Sequence, residues 1–239
     1  MRPFRNRIPS TGAIPTAHLS SSALPTLTSK QVREVDSLTQ ERFGIPVEWL
    51  MEAAGWQVAR FVRQRAAVVC GVGNNAGDGL AAARHLHRWG RLSSVCCVDK
   101  ARLRGPAAEE LEALGKLGVE VVDNLQFDDA GVIVDAIFGT GLSRPPEGKF
   151  AAWITAINES GKTVIAVDVP SGLDADSGVA YAPCVRANTT ITLGLPKPGL
   201  LKLSEPVFVA DIGVPFEAYA AVGVAVPADL FAKGELVRL

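Results

Sequence analysis

The chain of 239 residues is 48% hydrophobic with a formal net charge of −1 and a mean hydropathy of +0.20, which is enough apolar material for one large core. So balanced a charge gives no field that would recruit nucleic acid or an anionic membrane surface, and no apolar run approaches the ~20 residues needed to span a bilayer. Cys70, Cys96, Cys97 and Cys184 form no C-x-x-C pair, and three of them lie in apolar runs, as reduced core residues of an intracellular protein do.

Residues 1–27 carry Arg2, Arg5 and Arg7, four prolines, and no acid. This composition predicts a flexible extension ahead of a single domain spanning residues 28–239. An Arg- and Ser-rich, acid-free start also suits an organellar targeting peptide, but Pro3, Pro9 and Pro15 interrupt the amphipathic helix such peptides need. The expectation is a cytoplasmic protein, with an organelle as the alternative.

Order is expected from Thr28, where Thr28-Ser29-Lys30-Gln31 fits a capping box and Val32, Val35 and Leu38 follow at helical spacing as far as Gly44. A second helix starts near Val47, with Leu50, Met51, Ala54, Val58, Phe61 and Val62 on one face and Glu52 and Trp56 beside it. Residues 66–70 are a continuous apolar run suited to a strand buried on both faces. Then Cys70-Gly71-Val72-Gly73-Asn74-Asn75-Ala76-Gly77-Asp78-Gly79 reads as a cofactor-cradling turn, and Leu80, Ala83, Leu86 and His87 as the helix after it.

Beyond that turn, strands are expected at 95–98, 119–122, 132–138 and 163–169, alternating with helices at 107–117 and 147–160. Strands at 190–195 and 207–212 follow, joined through the Pro196-Lys197-Pro198-Gly199 turn. The alternation predicts an α/β, Rossmann-like three-layer fold with a mostly parallel central sheet and helices on both faces. In such sheets ligands bind beyond the carboxyl ends of the strands, where strand order reverses.

The loops after Cys70, Asp135 and Asp168 would open on that edge. Asp135 and Asp168 end otherwise apolar strands, where an ionised carboxylate is costly to bury unless something pairs with it. Each either caps nearby loop amides or belongs to a site, and their convergence with Asn75 and Ser171 favours a site. Amide, carboxylate and hydroxyl oxygens suit a hard cation, K⁺, Na⁺, Mg²⁺ or Ca²⁺, rather than zinc, copper or iron. Arg144, beyond Gly139-Thr140-Gly141, offers a fork for phosphate or is a solvated surface residue.

Four stretches, Gly73-Asn74-Asn75-Ala76-Gly77-Asp78-Gly79-Leu80, Asp135-Ala136-Ile137-Phe138-Gly139-Thr140-Gly141-Leu142, Ala166-Val167-Asp168-Val169-Pro170-Ser171-Gly172-Leu173-Asp174 and Pro196-Lys197-Pro198-Gly199, together resemble the NAD(P)H-hydrate epimerases, the YjeF N-terminal domain family. The resemblance runs in the family's order from about residue 28 to 214. It implies an isomerase that interconverts the R and S forms of hydrated NADH and NADPH (NADHX and NADPHX) with a bound K⁺. It implies substrate contacts at Asn74, Asn75, Ala76, Gly77 and Asp78, at Gly139, Thr140, Gly141, Leu142, Ser143, Arg144 and Pro145, and at Asp168. It further implies K⁺ ligands at Asn75, Asp135 and Ser171.

Asp168 is expected to transfer the proton, giving and then taking it. Ala76 stands where the family usually has glycine, and alanine would be strained there if the turn needed positive φ. The expected partners are the small-molecule hydrate and, functionally, a separate hydrate dehydratase, with no nucleic acid and no membrane; a homodimer is left open. Two other readings are a non-catalytic binding or scaffold module of the same fold and an NAD(P)-dependent dehydrogenase. Retention of Asn75, Asp135, Asp168 and Ser171 disfavours the first, and Asp78 within the glycine segment disfavours the second.

Overall fold

A computed structural model describes residues 16–18, 24–232, 234 and 236–239. In chain order the elements are β1 (Thr16–His18), α1 (Ser29–Glu41), α2 (Val47–Phe61), β2 (Ala66–Cys70), α3 (Asn74–Arg88), β3 (Leu92–Cys97), α4 (Pro106–Lys116), β4 (Val121–Val122), β5 (Val132–Ala136), α5 (Gly148–Glu159), β6 (Thr163–Val167), β7 (Thr189–Leu193), β8 (Val207–Ala210), α6 (Phe216–Ala221) and β9 (Leu236–Arg238). They form one nine-stranded sheet in the order β1-β9-β8-β7-β6-β5-β2-β3-β4. Every pairing is parallel except β8 with β9.

Strand β2 is the pivot. From it the chain steps outward to β3 and β4, then returns to lay β5 against the other side of β2 and continues through β6, β7 and β8. The reversal opens a crevice at the carboxyl ends of β2 and β5.

The fold is the α/β three-layer arrangement expected. Helices α2, α3 and α4 cover one face of the sheet, packing Val58, Leu80, Leu86 and Leu114 against Val68, Val95, Val134 and Val167. On the opposite face α5 packs Trp153, Ile154 and Ile157 against Val69, Ile133 and Val164. Register puts Val209 on that same face, where Val35 of α1 and Ala218 and Tyr219 of α6 join it. No helix of the described residues is long and apolar enough to cross a membrane.

Several boundaries differ from expectation, each for a local reason. The glycine segment is not an extended turn, because α3 already starts at Asn74 and carries Ala76, Gly77, Asp78 and Gly79 within its first turns. Ala76 is therefore helical and buried, without positive φ, so the anticipated strain is absent. Strand β5 stops at Ala136 because the next two amides turn to side chains: Ile137 N–H donates to Asp135 and Phe138 N–H to Ser171. Strand β6 stops at Val167 because Asp168 takes φ 66°. Strands β7 and β8 are parallel, so the Pro196 turn opens a crossover through a 3₁₀ segment (Pro198–Lys202) rather than a hairpin.

The expected extension falls largely outside the described residues. Within them, packing begins before Thr28: Thr16–His18 pairs with β9, and Leu24 and Leu27 are buried against Val35 and Leu195.

The glycines are there for close packing. A Cβ at Gly77 would lie 2.5 Å from the Met51 sulfur, one at Gly79 2.5 Å from the Ala136 Cβ, and one at Gly71 2.0 Å from the Ile137 carbonyl oxygen. Backbone cannot swing aside as a side chain can. We expect Gly71→Ala to lower unfolding free energy by about 3 kcal/mol, the upper end of typical overpacking costs, read as a lower urea midpoint. An unchanged midpoint would mean that β2 and β5 approach less closely than described.

Candidate active site

At the crevice, Asp135 is fully buried on β5 and forms no ion pair among the described residues. Its carboxylate accepts the Ser171 hydroxyl at 2.6 Å, the Ser171 amide at 2.9 Å and the Ile137 amide at 3.2 Å. Burial lifts its pKa to about 6, the Ser171 and Ile137 bonds acting in opposition. The Ser171 hydroxyl in turn accepts the Phe138 amide at 2.8 Å, tying the loop after β6 to the loop after β5.

Asp168, 8% exposed, is the one non-glycine residue with positive φ among those described. A short-chain Asp tolerates that region better than most residues, and such strain persists where surroundings over-determine it. Lys197, 1% exposed, supplies that determination. Its Nζ donates to Asp168 Oδ1 at 2.5 Å, Thr192 Oγ1 at 3.1 Å and the Leu193 carbonyl at 2.9 Å, the full complement of an ammonium. The other carboxylate oxygen, Oδ2, accepts the Thr140 amide at 3.3 Å.

Gly139 passes between this group and α3. A Cβ there would sit 3.0 Å from Asp168 Oδ2 and 3.4 Å from the Asn75 side chain. Asn75 is 9% exposed, yet neither its amide oxygen nor its nitrogen has a hydrogen-bond partner. Buried amides are nearly always paired, so two orphaned atoms in one side chain mark a place that a ligand completes. With Asp135 and Ser171 the available donors are oxygens. Among the described residues no group of three His, Cys, Asp or Glu converges as a transition-metal site would require. The set fits a hard cation.

The structure thus brings Asn75, Gly139, Thr140 and Asp168 together, and Asp135 with Ser171 beside them. Asn74 is exposed at the open start of α3, whose N-cap Gly73 provides no side-chain bond. Ala76 and Gly77 face inward against the core, Gly77 toward Met51 and Ala107. Gly141, Leu142, Ser143, Arg144 and Pro145 lie on the loop between β5 and α5, exposed except for a half-buried Leu142. No described side-chain bond ties them to Asp168.

Half-buried Asp78 has its pKa raised above the ordinary value by burial first, then by Asp168 and Asp36, with Lys197 opposing. Sequence reasoning gave no role to Lys197, Thr192 or Asp36. The signal available for Lys197 was a lysine wedged between two prolines directly after a buried strand.

Elsewhere, Glu52 pairs with Arg84 and with His85, fastening α2 to α3. Asp174 accepts from Ser177, Asp176 and Tyr181, bonds that hold its pKa low and its loop closed.

The family model described as YjeF-related protein N-terminus matches residues 47–199. The chain is 44% identical over 189 residues to the bifunctional NAD(P)H-hydrate repair enzyme Nnr of Thermofilum pendens, covering 72% of this chain but only 36% of that protein. It is 35% identical over 211 residues to the NAD(P)H-hydrate epimerase of Rhodopirellula baltica, covering 81% of this chain and 86% of that one. Among solved structures, the yeast protein ynu0, YNL200c, superposes with a TM-score of 0.79 at 24% identity, over 90% of this chain and all of that one, a likeness of fold.

Proposed function

The chain belongs to the YjeF-related protein N-terminus family, and on that premise we propose that it is an isomerase that interconverts the R and S forms of NADHX and NADPHX in nicotinamide nucleotide repair. The observation that carries this reading is the conjunction, at one sheet-edge crevice, of the strained Asp168 held by Lys197 with the unpartnered Asn75.

In the hydrate a hydroxyl sits on a carbon next to the ring nitrogen, and inversion by loss and re-addition of water, or by ring opening, needs proton transfer. Asp168 is the proton-transfer group, its carboxylate aimed by the Lys197 ammonium and the Thr140 amide. The uncapped N-terminus of α3 presents free amides and a positive dipole end to the diphosphate. Gly139 and Thr140 line the path between them, and Arg144 stands on the exposed loop as a phosphate fork.

Asn75, Asp135 and Ser171 are the residues that would hold K⁺. When bound, the ion supplies positive charge that orders the two loops and screens the diphosphate. It should then stabilise the fold by mass action, by roughly 2.7 kcal/mol at 100 times its dissociation constant, and Asp135→Asn should blunt that response. Equal melting temperatures in KCl and in a bulky organic-cation salt of matched ionic strength would remove K⁺ from the reading.

A relative named as bifunctional joins a matching region to further sequence, which favours functional coupling of this activity to a hydrate dehydratase. A cytoplasmic location suits the four described cysteines, none of which forms a disulfide. The deciding assay supplies R-hydrate together with a dehydratase that consumes only the S form. Dehydration faster than the spontaneous background is the expected result, and a rate equal to background overturns the function.

A further inference from the structure

A carboxylate has two oxygens, and as a base it needs only one of them free to take a proton. Resting on the epimerase reading, we propose that Asp168 Oδ2 is the oxygen that moves the proton, and that Thr192 of β7 is the positioning residue that keeps it free, by holding Lys197 on Oδ1 alone.

The two oxygens of Asp168 face different surroundings. Oδ1 points at the end of β7, where the Lys197 ammonium donates to it at 2.5 Å and the Thr192 hydroxyl and Leu193 amide approach at 3.4 Å each. Among the described residues, Oδ2 accepts the Thr140 amide at 3.3 Å and nothing else. Gly139 stands in front of it: a Cβ there would come 3.0 Å from Oδ2 and 3.4 Å from the Asn75 side chain. The bare glycine thus leaves Oδ2 open toward the side chain whose amide atoms have no partner.

An ammonium beside a carboxylate gains by giving one N–H to each oxygen, since the negative charge is shared between them. Lys197 does not do so. Its other two N–H groups go to Thr192 Oγ1 at 3.1 Å and to the Leu193 carbonyl at 2.9 Å. The carbonyl is backbone and is present whatever residue follows Thr192, so the hydroxyl is the acceptor that the sequence chooses.

Strand register puts that hydroxyl where it is needed. Ile191 of β7 pairs with Val167 of β6, and the Asp168 amide donates to the Ile191 carbonyl at 2.7 Å, which sets Thr192 level with Asp168. Thr192 is fully buried, and the bonds its hydroxyl forms among the described residues are to Lys197 and Asp168. Its β-branched side chain is stiff at χ1, so the hydroxyl is aimed at little cost in entropy.

Without the hydroxyl, one Lys197 N–H is buried with no acceptor, a costly state. The open acceptor in reach is Oδ2. An oxygen that already receives a charge-assisted bond gives up part of that bond when a proton arrives, and is the poorer base for it. The transfer itself is simple: an O–H bond of the hydroxyl or water breaks, its proton goes to Oδ2 and its electron pair stays on the oxygen. The reverse step returns the proton, so nothing is oxidised or reduced.

The test joins a structure that needs no turnover to rates that do. A crystal structure of ligand-free Thr192→Val should show Lys197 Nζ within about 3.2 Å of Oδ2. An ammonium that stays on Oδ1 alone overturns the proposal. Thr192→Val should lower kcat roughly tenfold, the rate equivalent of one charge-assisted hydrogen bond, with KM nearly unchanged. Thr192→Ala should lose rate alike, which separates loss of the hydroxyl from crowding by the new methyl, and Thr192→Ser, which restores the hydroxyl, should recover most of the loss. If Thr192 were merely structural, the variants would melt earlier while kcat of the folded protein held, or serine would rescue no better than valine; either result overturns the proposal. A re-aimed Lys197 in a protein whose wild type does not epimerise would overturn the role of Oδ2 along with the function, and would leave standing the hold of Thr192 on Lys197.

Discussion

Asp168→Asn is expected to give a folded protein whose kcat is lower by ~10²–10⁴-fold, the usual contribution of a positioned proton-transfer group. Asparagine keeps the size of the side chain, and its one oxygen can still accept from Lys197, which now bonds the carboxylate at 2.5 Å, while the weaker 3.3 Å bond from the Thr140 amide is given up. It also tolerates φ 66° about as well as aspartate does, so backbone strain does not confound the result. What it loses is the capacity to take a proton. KM should change little, and circular dichroism should match wild type. If Asp168 only braced the loop, turnover of the folded variant would stay near normal, and that single measurement would remove it from the mechanism.

The second large effect belongs to Lys197. Replacing it with methionine keeps the apolar stem but leaves the Asp168 carboxylate buried without its cation, and strips Thr192 and the Leu193 carbonyl of a donor. Breaking a buried pair from one side costs about 3–5 kcal/mol, so Lys197→Met should unfold at a distinctly lower denaturant concentration. The variant carrying both Lys197→Met and Asp168→Asn removes the stranded charge and should recover much of that loss without recovering activity. A double-mutant cycle isolates this coupling. Additive losses in the cycle, or a single-variant cost below about 1 kcal/mol, would show that the pair does not hold the loop.

Much of the fold was legible because the strands are short runs of β-branched and small apolar residues set off by glycine, as in Ala66–Cys70 and Val132–Ala136. Asp135 and Asp168 stood out for the opposite reason: a carboxylate inside such a run is an anomaly that local structure does not explain. The start of α3 was hidden because Asn, Gly and Asp are poor helix formers. Only the tertiary fit of Gly77 under Met51 and of Gly79 against Ala136 makes helix the better outcome. Helix α6 and strand β9 are too short to show a period. Lys197 is marked locally only by its two flanking prolines, which do not say what it meets, because β6 and β7 come together only in the folded protein.

The threading of the sheet has a kinetic corollary. Strand β2 pairs with β5, more than sixty residues downstream, and the pairs that build the site also join distant positions: Ser171 with Asp135 across 36 residues, Lys197 with Asp168 across 29. Chains dominated by such non-local pairings fold slowly, since loop-closure entropy is lost before any contact returns it. The crevice therefore takes shape only after the central parallel strands have found one another, late on the route to the native state. Anything that tightens it acts mainly on the escape rate: a ligand bound across β2, β5 and β6 prolongs the lifetime of the folded molecule while leaving the speed of its formation nearly untouched.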